Sequence, residues 1–462
     1  MQATDNKNDF SKGSIIGNIM SLAVPMTMAQ LINVLYNIVD RIYIGRIPEY
    51  ATLSMTGLGL CLPIISMVAA FANLFGSGGA PLCSIERGRG NLDDAEKIMG
   101  NSFCMMLITG VSLTLFGLLI KEPMLYLFGA SDQTFPYADS YLSIYLLGSV
   151  FVMIGLGMNS FINSQGFGRT GMITVFLGAV TNIILDPVFI FVLNMGVKGA
   201  ALATVISQGL SAFWILHFLL GRKTILKLKI SAMKLEKSRV LKIIGLGLSG
   251  FTMSVTNGLV QIACNSTLQN FGGDLYVGVM TVINSIREVV TMPVMGVTHG
   301  AQPVMGYNYG AEEYKRVKQS IAFVSVVSIA YTAVVWMLVH SFPELFIRIF
   351  NQDADLVQAA IPAMRIYYFG FVFMSLQFAG QSTFTALGKA KKAVFFSIFR
   401  KVVIVVPLTL LLPHIAGLGI NGVFAAEPIS NLVGGAACFI TMLVTLIPEL
   451  NRKQGGPLAA GS

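Results

Sequence analysis

The sequence predicts an all-α integral membrane protein, with twelve transmembrane helices in two pseudo-symmetric six-helix bundles around a central cleft. Three observations predict it. Hydrophobic residues make up 54% of the 462 residues, charged residues 11%, and mean hydropathy is +0.72; a soluble globular chain carries roughly a quarter charged residues, which excludes that class. Apolar stretches of roughly 20 residues or more recur about twelve times, each able to cross about 30 Å of hydrocarbon at 1.5 Å per residue. The first half of the chain also returns in the second at a shift of about 220 residues.

Taken in order, the stretches cover residues 15–45, 53–80, 99–121, 138–163, 172–194, 198–220, 240–270, 276–306, 319–341, 357–385, 393–413 and 418–447. The polar residues 1–12 precede a first span too long for a signal-peptide core, so no cleavable signal is expected. The five cysteines fall in or beside these stretches without metal-ligand spacing and read as small core residues. The organisation expected is an N-terminal lobe over 1–220, a polar, basic cytoplasmic linker over 221–239, a C-terminal lobe over 240–450 and a flexible tail over 451–462.

The net charge of +9 falls on one side. With the N-terminus inside, the outer segments hold Arg41, Arg46, Lys121, Lys198 and Arg348. The inner segments hold 24 of the 31 Lys and Arg, among them Arg87, Arg89, Lys97, the cluster from Arg222 to Lys242, Lys315 to Lys318 and the group from Lys389 to Lys401. Arg287 and Arg365 are left within spans. This is the positive-inside pattern, which places both termini in the cytoplasm and accounts for the charge without a nucleic-acid partner. Membrane lipid is the surrounding partner, and a monomer is the expected state.

The repeat is read from matched pieces. Tyr145 to Gly148 answers Tyr367 to Gly370, Gly90 answers Gly310, Pro187 answers Pro407, and Ile206-Ser207 answers Ile429-Ser430. Two six-span units entering the membrane in the same direction are related by an axis along its normal, and transporters place substrate at such a repeat interface.

The repeat also breaks. Asp186 aligns with Val406, Asn182 with Val402, and Asp40 with Val260 or Gln261. Maintaining a fold acts on both halves alike, so acids confined to one half point to a task. A carboxylate at bilayer depth is expensive unless it faces protein or water and has a partner, so it is read as a proton or cation site. Asp40 on the first span, Asn182 and Asp186 one helical turn apart on the fifth, and Thr204 on the sixth lie at similar depth. Together they supply oxygens suited to Na⁺, or a carboxyl pair that shares a proton.

Other readings stand beside these. Asp40 has Arg41 next to it as a partner at the membrane surface, and Asp186 with Pro187 is a way to cap or kink the fifth helix. Glu288, beside Arg287, reads either as half of an internal ion pair or as a second functional acid. Glu427, before Pro428 and aligned with Thr204, reads the same way.

The pieces Ala23-Val24-Pro25-Met26, Val39 to Gly45, Asn182 to Pro187 and Gly199 to Thr204 resemble the multidrug and toxic compound extrusion (MATE) transporters over nearly the whole chain. The resemblance is to prokaryotic members whose working acids lie in the N-terminal lobe. It implies Asp40, Asn182, Asp186 and Thr204 as the coupling set, Tyr36, Tyr141 and Asn159 as polar pocket residues, and Pro25 as the bend of the first helix. Pro187 is a second weak point. The resemblance also implies a V-shaped pair of bundles that exports organic cations while Na⁺ or H⁺ returns. A MATE subgroup with coupling acids on its seventh and tenth helices is not matched: residues 247–271 contain no acid, and the tenth span offers Arg365, Gln377 and Gln381.

The expected function is therefore efflux of organic cations by antiport with H⁺ or Na⁺ in the cytoplasmic membrane, with alternating access between two lobes and no cofactor beyond the coupling ion. A flippase for lipid-linked saccharides shares the wider plan and is the alternative, although its pyrophosphate calls for a cationic cavity. An intramembrane enzyme is disfavoured, because no nucleophile and base pairing, His-rich metal motif or nucleotide-binding glycine loop occurs. Without a nucleotide-binding domain, the energy comes from an ion gradient.

Overall fold

The computed structural model describes residues 8–47, 50–415 and 417–454, which form helices and the turns between them. The helices are α1 (Ile15–Ile44), α2 (Ala51–Gly88), α3 (Leu92–Leu127), α4 (Phe135–Leu147), α5 (Ser149–Ser164), α6 (Gly168–Pro187) and α7 (Val197–Leu220). They continue with α8 (Lys237–Gly310), α9 (Tyr314–Ser341), the short α10 (Pro343–Phe350), α11 (Ala354–Tyr368), α12 (Phe371–Ala386) and α13 (Ala390–Ile398), and end with α14 (Val406–Leu411), α15 (Ile420–Ser430) and α16 (Ala436–Gln454).

Among the described residues nine helical runs are long and apolar enough to cross a membrane, or eleven when two bent pairs count as one span each. The 74-residue α8 is interrupted at Gly273 (φ +66°, ψ −166°), between the two stretches that the sequence separates there. Divided at that glycine it supplies two spans, and the total becomes the expected twelve. Large apolar side chains such as Leu119, Leu127 and Val192 stand exposed on the helices. That is the surface expected where lipid is the solvent and every backbone group is satisfied within its helix.

The two bent pairs occupy matching places in the repeat. α4 meets α5 at 56° across Gly148, and α11 meets α12 at 45° beside Gly370. A Cβ on Gly148 would lie 2.4 Å from the Val205 side chain of α7, and one on Gly370 would lie 2.6 Å from the Pro428 carbonyl of α15. Glycine is required because the next helix packs directly on the bend.

The chain forms two compact units. One holds Met28–Gly247, and the other holds Phe10–Thr27 together with Leu248 onwards. This differs from the expected division at 220 and 240: the boundary within the chain falls at Gly247, and the start of α1 belongs with the second unit. The stretch 221–239 is not a free linker either. Gln165 Oε1 accepts from the amides of Ile225 (2.9 Å) and Leu226 (2.7 Å) and from the Thr224 hydroxyl (2.8 Å). Asn101 donates to Ala232 and Lys234 and accepts from the Glu236 amide. Buried side chains thus replace helix as the partners of this backbone. At the far end, residues 451–454 continue α16, and the rest of the expected tail, 455–462, lies outside the described residues.

Within the first unit, α2 and the start of α8 touch backbone to backbone. A Cβ on Gly247 would fall 1.8 Å from the Leu74 carbonyl oxygen, whereas one on Gly245 would meet nothing within 4 Å. Small residues at helix contacts provide membrane packing where no hydrophobic driving force exists between helices. Gly247→Ala is expected to destabilise the protein by about 1–3 kcal/mol through overpacking, while Gly245→Ala leaves it unchanged. Thermal unfolding of the two purified variants checks the contrast.

Candidate cation site in the first unit

Four helices each offer a pair of polar residues one turn apart, the spacing that puts both on one face. α1 brings Tyr36 and Asp40, α4 brings Tyr141 and Tyr145, α6 brings Asn182 and Asp186, and α7 brings Thr204 and Gln208. These pairs converge. Asn182 Nδ2 donates to Asp186 Oδ1 at 3.3 Å and lies 3.4 Å from Thr204 Oγ1. The carboxyls of Asp40 and Asp186 lie close enough to act on each other, Tyr141 lies near Asp40 and Thr204, and Tyr36 lies near both acids and Gln208. The Tyr141 and Tyr145 rings stack with centroids 6.3 Å apart.

The site is buried. Asp186 is fully enclosed, Asn182 is 1% exposed, and Asp40 and Thr204 are each 8% exposed. Arg41, by contrast, is exposed, and Asp40 turns to Asp186 on another helix instead of to its chain neighbour. Asp40 Oδ1, Asp186 Oδ2 and Asn182 Oδ1 are buried acceptor oxygens with no hydrogen-bond donor among the described residues. Buried polar atoms are nearly always paired. Three such oxygens close together, two of them on carboxyls, are of the chemical type that can hold a proton or a small hard cation.

Pro187 ends α6 and is followed by a wider π turn, Val188–Val192. A proline removes a backbone donor and crowds the preceding turn, so the acid and the helix break coexist at neighbouring residues. α1 runs as one helix through Pro25, which lies in the segment that clusters with the second unit. Asn159 is not brought to the acids by any contact: its amide donates to the Gly171 carbonyl at 3.3 Å. Gly171 is roughly 16 Å along α6 from Asn182 at the α-helical rise.

Two members of the site were not singled out from sequence. Gln208 and Tyr145 each sit four residues after a candidate, Thr204 and Tyr141, and that spacing was the available signal.

In the second unit the candidates arrange themselves differently from expectation. Glu427 is buried and receives Arg400 Nη1 at 3.0 Å, Lys401 Nζ at 3.1 Å and Arg287 Nη1 at 3.5 Å. Arg287 therefore pairs with Glu427 on another helix and not with adjacent Glu288, whose side chain is exposed. Arg400 and Lys401, assigned above to an inner segment, are buried in the π turn Phe399–Val405 inside the eleventh span. Local unwinding carries two cations inward.

The sequence profile of the MatE family matches residues 25–188 and 249–411, one block in each half of the chain. The chain belongs to the MatE family. The first matched block contains Asp40, Asn182 and Asp186, and the second contains Arg287, Arg400 and Lys401. The MatE chain is 26% identical over 437 residues to the multidrug export protein MepA of Staphylococcus saprophyticus, covering 94% of each. It is 27% identical over 416 residues to MepA of Staphylococcus haemolyticus, covering 88% of this chain and 89% of the relative. Among solved structures, a MATE protein in its bent conformation superposes with a TM-score of 0.91 at 22% identity, covering 98% of this chain and 99% of that one. The likeness in structure establishes a shared fold.

Proposed function

We propose that this multi-pass membrane protein is a multidrug exporter of the cytoplasmic membrane, with both termini inside, that expels lipophilic organic cations in exchange for Na⁺ or H⁺. The observation that carries the reading is the pair of buried carboxyls, Asp40 and Asp186, set against each other with unpartnered oxygens and no basic side chain bonded to either. Asn182 and Thr204 complete the oxygen set. The MatE family match and the MepA relatives, named as multidrug export proteins, support the same direction.

In this reading the coupling ion and the exported cation occupy the acids in turn. A cycle results only if the ion binds one access state better than the other, since a ligand of equal affinity for both shifts nothing. Tyr36 and Tyr141 lie beside the acids, with Tyr145 stacked on Tyr141, and aromatic rings attract cations by about 0.5–2 kcal/mol each. The competing reading, a flippase for lipid-linked saccharides, calls for a cationic pocket around pyrophosphate, whereas the first unit encloses acids.

The test is uptake of a fluorescent organic cation into proteoliposomes under separately imposed Na⁺ and H⁺ gradients. Transport driven by either gradient is expected. Movement of a saccharide lipid without movement of any cation would overturn the proposal. Within the site, Gln208→Leu removes the amide that lies near Tyr36 and is expected to slow cation export by a few-fold to about tenfold, the size of one neutral polar contact. The same vesicle assay, with protein content matched, measures it.

A further inference from the structure

The second unit holds a polar chamber at the place the repeat assigns to the cation site, with the opposite charge. By the alignment of the halves, Val260 or Gln261 answers Asp40, Tyr367 answers Tyr145, Val402 and Val406 answer Asn182 and Asp186, and Glu427 answers Thr204; Val260, Gln261, Tyr367 and Glu427 line the chamber. In the structure a cavity of about 100 Å³ is lined by Gln261, Asn284, Arg287, Tyr367, Lys401 and Glu427 among others. Neither acid of the first site has an acidic counterpart in the second half, and the charged residues gathered here are one carboxylate, Glu427, and three cations, Arg287, Arg400 and Lys401.

The charges do not balance. Arg287, Arg400 and Lys401 converge on the single carboxylate of Glu427. Arginine keeps its charge in proteins, so the cluster retains a positive excess whichever form Lys401 takes. Lys401 is 3% exposed and Arg400 8%, and uncompensated charge at bilayer depth is costly. Asn431 Oδ1 accepts from Arg400 Nη1 at 2.7 Å, which satisfies a donor without cancelling charge. Arg287 is the least enclosed of the three, at 30% exposure, and makes the longest contact with Glu427. Its guanidinium lines the cavity beside the ammonium of Lys401, and the amides of Gln261 and Asn284 supply neutral donors. A planar guanidinium fork matches the paired oxygens of a carboxylate or phosphate.

We propose that the second unit binds a small oxyanion, a carboxylate or phosphate group, in the chamber walled by Arg287, Lys401 and Glu427. The volume exceeds the roughly 10–15 Å³ of probe space that one water needs, so a small polar group has room beside the guanidinium. The anion completes the neutralisation that Glu427 begins, and the site is independent of the cation site in the first unit.

The test uses the purified full-length protein in uncharged detergent, titrated calorimetrically at constant ionic strength with acetate, inorganic phosphate or micelles doped with phosphatidylglycerol. Saturable binding of one of the three is expected. Binding of the doped micelles alone assigns the oxyanion to a lipid headgroup and supports the same chemistry. Arg287→Gln should weaken binding by about tenfold or more, the effect of losing a charge-assisted hydrogen bond. Asn284→Asp places a carboxylate in the chamber, so it should abolish oxyanion binding while keeping the thermal midpoint at or above that of the parent. Asp186→Asn should leave oxyanion binding untouched, so failure of the export reading and failure of this one are told apart. Heats that never saturate, or that are equal in the parent and both second-unit variants, would refute the site, as would a lowered midpoint in Asn284→Asp.

Discussion

Asp186→Asn is expected to abolish gradient-driven cation export while leaving the protein folded and no less stable. The substitution keeps the shape of the side chain, and its carbonyl oxygen can still accept from Asn182, now 3.3 Å from Asp186 Oδ1. What it removes is one of the two buried carboxyls that can carry a negative charge. Losing one partner of a buried charge interaction weakens binding by about 2–5 kcal/mol, roughly 30-fold or more in affinity for the coupling ion. Asp40→Asn should behave alike, because the two carboxyls act on each other. Stability separates function from scaffold: Asp186 Oδ2 and Asp40 Oδ1 have no protein donor, so neutralising either side chain relieves desolvation and strands no cation. Sites built for function commonly hold stability back in this way. Vesicle transport under each gradient, with thermal unfolding of the same preparations, decides it. Unchanged export in both variants would dismiss the site, and a fall in midpoint would recast the acids as structural.

The fold was legible because membrane helices are long and must satisfy their own backbone, so an apolar stretch is a near-complete description of the element. Even the interruption at Gly273 falls between two separately read stretches. The acidic site was legible for a related reason: Asp40 and Asp186 break an apolar pattern, and the repeat shows that only one half breaks it. The rest depends on packing, which no periodicity reports. Gln208 and Tyr145 are ordinary polar residues until α7 and α4 turn them toward Tyr36 and Tyr141. Arg400 and Lys401 sit close to a run of inner-side lysines, and only the π turn Phe399–Val405 carries them inside to Glu427. The folding of residues 221–239 against Gln165, Asn101 and Glu96 was hidden too, since three scattered polar side chains do not announce a docking surface.

Glu427→Gln should have the opposite stability effect to Asp186→Asn, although the two changes are chemically alike. Here the carboxylate is the shared partner of Arg287, Arg400 and Lys401, and neutralising it leaves three cations, two of them buried, facing one another. Breaking a buried ion pair by removing one partner costs about 3–5 kcal/mol, because the remaining charge is uncompensated. The thermal midpoint is therefore expected to fall by on the order of 10 °C for a unit of this size. Arg287→Met in the same chain removes one of the stranded charges and should recover part of the loss. Saturating oxyanion should recover part as well, through binding to the folded state alone. A midpoint equal to the parent's would show that Glu427 is not the electrostatic keystone of the cluster. The paired measurements on Asp186 and Glu427 thus read, from one kind of substitution, which carboxyl is held for a ligand and which holds neighbouring cations together.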